Sequence, residues 1–138
     1  MTDLYDEWWT QRDAITEAAN RGGDILITGL GLGLVTEAIL RNSPNVRSVT
    51  IIEYSSDVVA LVAPYLLGRY GSRVRVINAD AFKWRPRKRY TVGWHDIWPD
   101  PYGEIVERET QKLEKRFHRW CAWQGSWPRT YLREINAG

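Results

Sequence analysis

Apolar positions along this chain change period several times. Leu4, Trp8, Ile15 and Ala19 share one stripe of a helix over residues 4–19, which Asn20-Arg21-Gly22-Gly23 stops. Asp24 opens Ile25-Leu26-Ile27-Thr28, a short apolar run that predicts a strand. It ends at Gly29-Leu30-Gly31-Leu32-Gly33, and Leu34 to Arg41 predicts a helix. Val46 to Glu53 predicts a second strand, and Ser55-Ser56-Asp57 offers caps for a helix from Val58 to Tyr70 that Pro64 should interrupt or bend. Arg73 to Ile77 alternates as a third strand, with Asn78 to Phe82 as the turn beyond it. Tyr90 to His95 predicts a fourth strand, and Glu104 to Arg119 a helix. The tail from Trp120 matches neither period. Strands alternating with helices at this spacing predict an open parallel α/β sheet.

Composition narrows the class. At 138 residues with 43% apolar and 26% charged positions, one folded domain over 1–138 is expected, with 1–22 as its leading helix and 120–138 as a Trp-rich tail. No apolar run reaches the length of a membrane span, and MTDLYDEWW does not resemble a signal peptide. A cytoplasmic location without membrane contact is therefore expected. The lone Cys121 excludes an intrachain disulfide and a Cys-rich zinc cluster. Net charge is +2, but residues 1–82 sum to −3 and residues 83–138 to +5. Much of the excess lies in Lys83-Trp84-Arg85-Pro86-Arg87-Lys88-Arg89. This run has two readings: a nucleic-acid contact tracking phosphates, with Trp84 stacking on a base, or a solvated crossover.

The glycine spacing sets the cofactor class. A dinucleotide fingerprint requires a small residue three positions after its second glycine, and Leu34 or Thr36 stands there instead. What remains is G-x-G-x-G, either a loop that lets backbone pass close beneath a ligand or a tight glycine turn with no ligand. Glu53 ends the second strand, from where a carboxylate can accept ribose hydroxyl protons, or it could cap the next helix. Asp80 and Ala81 follow the third strand, where a carboxylate and an amide can meet adenine, or Asp80 could simply form a turn. Asp96 follows the fourth strand, and a strand order of 3-2-1-4 brings all four positions to the carboxyl edge of the sheet.

Asp24 to Asp100 resembles the N-terminal two thirds of a class I S-adenosylmethionine-dependent methyltransferase, and most resembles the spermidine synthase-like branch. There too the loop lacks an acid two positions before its first glycine, as Ile27 does here, and residues 90–101 echo a segment with a catalytic Asp and a second Asp before Pro. His95-Asp96-Ile97-Trp98-Pro99 is also similar to short methyltransferase-like proteins of phage genomes. The resemblance implies a Rossmann-like sheet with helices on both faces. The sheet is expected to be truncated, because only 43 residues follow the fourth strand. It implies S-adenosyl-L-methionine as cofactor, held by Gly29, Leu30, Gly31, Gly33, Glu53, Tyr54, Asp80, Ala81 and Asp96.

Methyl transfer to an unidentified acceptor needs a group that aligns the acceptor and removes its proton. Asp96, His95 and Asp100 are the candidates; of the adjacent pair on the strand only one can face the cofactor, and Asp96 could instead end the strand and hydrogen-bond its own loop. No metal site is expected from His95, Asp96, Asp100 and His118. Trp94, Trp98 and Tyr102 could wall a planar acceptor or serve as core. The alternatives are a binding protein without catalysis, an enzyme that degrades the cofactor, or a polyamine aminopropyltransferase-like enzyme. An uncovered strand edge would need either the Trp-rich tail or a second copy in a homo-oligomer.

Overall fold

The computed structural model describes residues 10–98 and 101–137. Leu4 and Trp8, the first half of the expected leading stripe, lie outside them. The elements run α1 (Arg12–Arg21), β1 (Gly23–Thr28), α2 (Leu34–Asn42), β2 (Val46–Glu53), α3 (Ser56–Tyr70), a 3-10 turn (Gly71–Arg73), β3 (Val74–Asn78), β4 (Tyr90–His95), α4 (Glu104–Phe117), β5 (Cys121–Ser126) and α5 (Trp127–Ala137). All strand pairs are parallel, in the order β3-β2-β1-β4-β5. The expected 3-2-1-4 order is present and is extended by a fifth strand from the tail that hydrophobic periodicity left unassigned.

Side chains alternate across the strands and so build two cores. Ile25, Ile27, Val49, Ile51, Val92 and Trp94 face α1, α2 and α3. Leu26, Ile52, Tyr90 and Cys121 face the other way, onto Leu113 and Phe117 of α4 and onto Ala81, Phe82 and Trp84. Helices thus cover both faces, but the second carries an irregular crossover, residues 79–89, between β3 and β4.

Local chemistry fixes the element ends. The Ser55 hydroxyl accepts the Val58 amide at 3.2 Å and caps α3, which runs unbroken through Pro64. Gly22 ends α1, its amide reaching the Ala18 carbonyl. β5 exists because two glycines make room for large neighbours. A Cβ on Gly125 would lie 2.8 Å from the Trp94 ring, and one on Gly93 2.7 Å from Cys121 Sγ. Burial there pushes the Cys121 thiol pKa up to about 12, so it packs as an apolar group.

The tail then folds back. Thr130 donates to Asp13 of α1 at 3.1 Å, Arg133 pairs with the same carboxylate, and Arg129 reaches Glu114 of α4 at 2.8 Å. α5 therefore joins helices from both faces along the β5 side of the sheet. No helix among the described residues is long and apolar enough to cross a membrane.

Candidate functional site

A cleft of about 730 Å³ opens at the carboxyl ends of β1, β2 and β4, lined by Gln11, Leu30, Gly31, Glu53, Asp96, Trp98, Tyr102, Trp127 and Tyr131 among others. In an open parallel sheet of this order β1 is where the connections reverse direction, and ligands bind in the crevice that results.

The three glycines of the loop have left-handed φ and three different duties. At Gly29 (φ 101°) a Cβ would lie 2.1 Å from the Asp96 carbonyl, so this glycine lets β1 close on β4. At Gly33 (φ 81°) a Cβ would press on Val62 and Leu66 of α3, so this one seats α2. Only Gly31 (φ 52°) faces open space, with no atom within 4 Å of a built Cβ, and it lines the cleft. It is a cradle that a side chain would fill.

Glu53 projects from the end of β2 into the base of this loop. Its Oε1 accepts the Leu30 amide at 2.7 Å and its Oε2 accepts the Ser55 amide at 2.9 Å. Each oxygen keeps acceptor capacity toward the cleft. Asp80 Oδ1 takes the Phe82 amide at 2.9 Å, closing the turn after β3 that the sequence also allowed. Ala79, just before Asp80 and Ala81, donates its amide to the Glu53 carbonyl at 3.0 Å, but neither Asp80 nor Ala81 is among the residues lining the cleft. Tyr54 is 76% exposed and also does not line it.

Asp96 and His95 part company as the strand pleat requires. Asp96 lines the cleft, its amide bonded to the Thr28 carbonyl, and its Oδ2 accepts the Gln11 side-chain amide at 2.9 Å. The Gln11 Oε1 in turn accepts the indole N–H of fully buried Trp94, at 2.5 Å. His95 lies wholly buried against Phe117 on the α4 face. The Gln124 amide donates to the Glu114 carbonyl, so its oxygen faces His95 Nε2, which must donate to it. Nδ1 then accepts from the Thr28 hydroxyl at 2.8 Å. Burial holds the His95 pKa down at about 4, a neutral ring. The expectation of His95 as a base is therefore corrected: it is a satisfied core residue pointing away from the cleft. Asp100 lies outside the described residues, and among these no His, Cys, Asp or Glu cluster suits a metal.

Gln11 and Tyr131 carry no motif and were missed, and Trp127 was legible only as part of the Trp-rich tail that could fold back over the sheet. The other signal was the i, i+4 spacing of Trp127 and Tyr131 on one face of a stretch too polar to assign. Their rings lie 5.6 Å apart, and Tyr131 meets Tyr102 edge-on at 6.2 Å. Trp84 is turned inward, 6.4 Å from the Phe117 ring, so it anchors the basic crossover and is not presented for stacking.

No family model matches the sequence, and no curated protein matches it. Solved structures do. A 23S rRNA methyltransferase, ErmE, superposes at TM-score 0.60 with 21% identity, over 84% of this chain and 43% of its own. An S-adenosylmethionine-dependent methyltransferase from Clostridium acetobutylicum gives TM-score 0.63 and 15% identity, over 87% and 47%. A putative caffeoyl-CoA O-methyltransferase from Staphylococcus aureus gives 0.65 and 17%, over 88% and 54%. The chain spans about half the length of these structures. What it shares with them is the Rossmann-like fold of the class I methyltransferases.

Proposed function

We propose that this chain binds S-adenosyl-L-methionine in the cleft and transfers its methyl group to an acceptor held beside Asp96. The observation that carries the reading is the meeting, in one cleft, of Gly31 with open space above it, the Glu53 carboxylate and Asp96. A nucleoside needs backbone it can approach and a carboxylate for its ribose hydroxyls, and these residues fit that need. The bound cofactor would supply a methyl group on a sulfonium, an electrophile that needs no protein nucleophile. Gly31 lets the cofactor approach the loop, and Glu53 accepts its ribose protons. Asp80 and Ala81 extend the same edge toward the adenine. Gln11 fixes one carboxylate oxygen of Asp96, which orients the acceptor and takes its proton. Trp127, Tyr131 and Tyr102 exclude water from the acceptor side.

Methyl transfer is favoured over aminopropyl transfer, although the wording of 90–101 resembles the spermidine synthase-like branch. A polyamine would call for several carboxylates, and the described lining residues include only Glu53 and Asp96. A second copy of the chain is proposed to bind along the β3 edge. β3 pairs on one side only, and α3 beside it exposes Leu61 and Tyr65 one turn apart.

Calorimetric titration with S-adenosylmethionine and S-adenosylhomocysteine tests the binding, and product analysis tests the chemistry. S-adenosylhomocysteine as product supports methyl transfer. Methylthioadenosine would replace that reading with aminopropyl transfer or cofactor breakdown, and binding without any product would leave a binding protein.

A further inference from the structure

Much of the positive charge of residues 83–138 lies on the crossover and on α4. Crossover 79–89 runs along α4 and the turn after it: Lys112 Nζ stands 5.5 Å over the Phe82 ring, Arg116 donates to the Trp84 carbonyl at 2.9 Å, and beyond the helix end Arg89 donates to the Arg119 carbonyl at 3.2 Å. Because Phe82 and Trp84 point into the core, the residues between and after them point out. Lys83, Arg85 and Arg87 are exposed, as are Arg108 and Lys112 of α4, whereas the exposed Lys115 lies by Glu114, His118 and Gln124 on the β5 side. Among the described residues none of these six has an ion-pair partner.

Three of the four acids of α4 are engaged elsewhere, and the fourth, Glu104, is exposed one turn before Arg108. Glu107 and Glu114 hold Arg129 of α5, and Glu109 accepts the Trp98 indole N–H at 3.0 Å. A helix of this length is about 20 Å long, so the cationic track formed by the crossover and α4 has room for several phosphates in a row. Its upper end is the start of α4, just after Tyr102. Tyr102 is 54% exposed and stands at the mouth of the cleft with its ring edge-on to Tyr131.

From this geometry we infer that the track holds an unpaired nucleic-acid strand. Its phosphates lie along Lys83, Arg85, Arg87, Arg108 and Lys112, and one base stacks at Tyr102. An acidic protein would satisfy the cations but not the aromatic end. A duplex would keep its bases stacked and out of reach of Tyr102. The further step, that the stacked nucleotide is the methyl acceptor beside Asp96, rests on the function proposed above. The strand contact itself does not.

The test is fluorescence anisotropy of a labelled 12-nucleotide oligouridylate without cofactor, from 50 to 200 mM salt. With three or more phosphates neutralised, the log–log slope should be about −2 or steeper. Arg85→Glu with Arg87→Glu should weaken binding by at least about 10-fold and make the slope shallower by about 1.4, the share of two contacts. Arg41→Glu with Arg69→Glu, on α2 and α3 of the opposite face, should leave binding within about twofold. Tyr102→Ala should weaken it by roughly 5- to 150-fold with the slope unchanged, the mark of a lost stack.

Equal loss from both charge reversals would overturn the track. Displacement by polyglutamate would replace the strand with an acidic protein, and equally tight binding of duplex RNA would overturn the requirement for an unpaired base. Titration of the Arg85→Glu/Arg87→Glu variant with S-adenosylmethionine keeps the two readings apart. Cofactor binding with the strand lost supports the track, whereas strand binding by a wild-type chain that takes no cofactor supports the track and overturns the proposed function.

Discussion

The Glu53 carboxylate holds the Leu30 amide of the glycine loop at 2.7 Å and at the same time faces the cleft. Glu53→Gln puts an N–H group opposite either the Leu30 or the Ser55 amide, both of which are donors. Cofactor affinity is expected to fall by about 10- to 100-fold, the worth of charge-assisted hydrogen bonds, with a small drop in melting temperature. Calorimetry and thermal unfolding of one preparation check both. Unchanged affinity would remove Glu53 from the ribose site.

Gly29 and Gly31 should fail in different ways. Gly29→Ala drives a methyl into the Asp96 carbonyl, so the loss is of folding and amounts to several kcal/mol. Gly31→Ala meets no atom and bears only the left-handed backbone cost of about 1 kcal/mol, yet it fills the cradle. Denaturant melts should therefore separate the variants, and only Gly31→Ala should give a folded chain with weakened cofactor binding.

Asp96→Asn keeps an oxygen for the Gln11 amide while removing the base. Turnover on an identified acceptor should fall about 10²- to 10⁴-fold with cofactor affinity retained. Loss of affinity along with turnover would make Asp96 a structural residue of the loop.

Acid should destabilise the fold in two stages. His95 is held below its ordinary pKa of 6.5, at about 4, so the unfolded chain binds more protons as pH falls through that interval. Stability present above pH 6.5 should be lost toward pH 4, at up to about 1.4 kcal/mol per pH unit. Asp24 adds a lower window. Arg47, bonded to both its oxygens, together with Ser48 holds its carboxyl well below the usual range, so its contribution should be lost as pH falls below that of a free carboxyl. Unfolding free energies of wild type and His95→Gln from pH 7 to 4.5 should diverge. Parallel curves would mean that His95 is not the titrating group.

Self-association through the β3 edge and α3 should respond to one charge. Light scattering is expected to give a dimer mass for the wild-type chain and a monomer mass for Leu61→Glu, whose side chain is 76% exposed and therefore costs the fold little. A monomeric wild-type chain at high concentration would refute this.

β1 was legible because a strand buried on both faces reads as an apolar run, and β3 because Val74 and Val76 alternate with Arg73 and Arg75; Glu53 and Asp96 were legible because they stand where predicted strands end. β5 was not, since Gly125 and Gln124 dilute its pattern. The glycine is set by the Trp94 indole opposite it, and the amide by a partner on His95, neither of which is adjacent in sequence. The role of His95 was undecided for the same reason: a strand pattern says that neighbours face opposite ways, but which way depends on the register with β1. Gln11 gave no sign because its place depends on the indole of Trp94, 83 residues away.

The contact between the Trp127 indole and the Thr10 hydroxyl, 117 positions apart, has a consequence for biogenesis. The glycine loop, Glu53 and Asp96 are all translated before Trp127, which follows Asp96 by about 2 to 6 s at ordinary elongation rates. During that interval the glycine loop, Glu53 and Asp96 already exist in the growing chain, while the aromatic wall formed by Trp127 and Tyr131 has not been made. The cleft is therefore the last part of the fold to be completed, because Trp127 and Tyr131 are translated after every other residue that lines it.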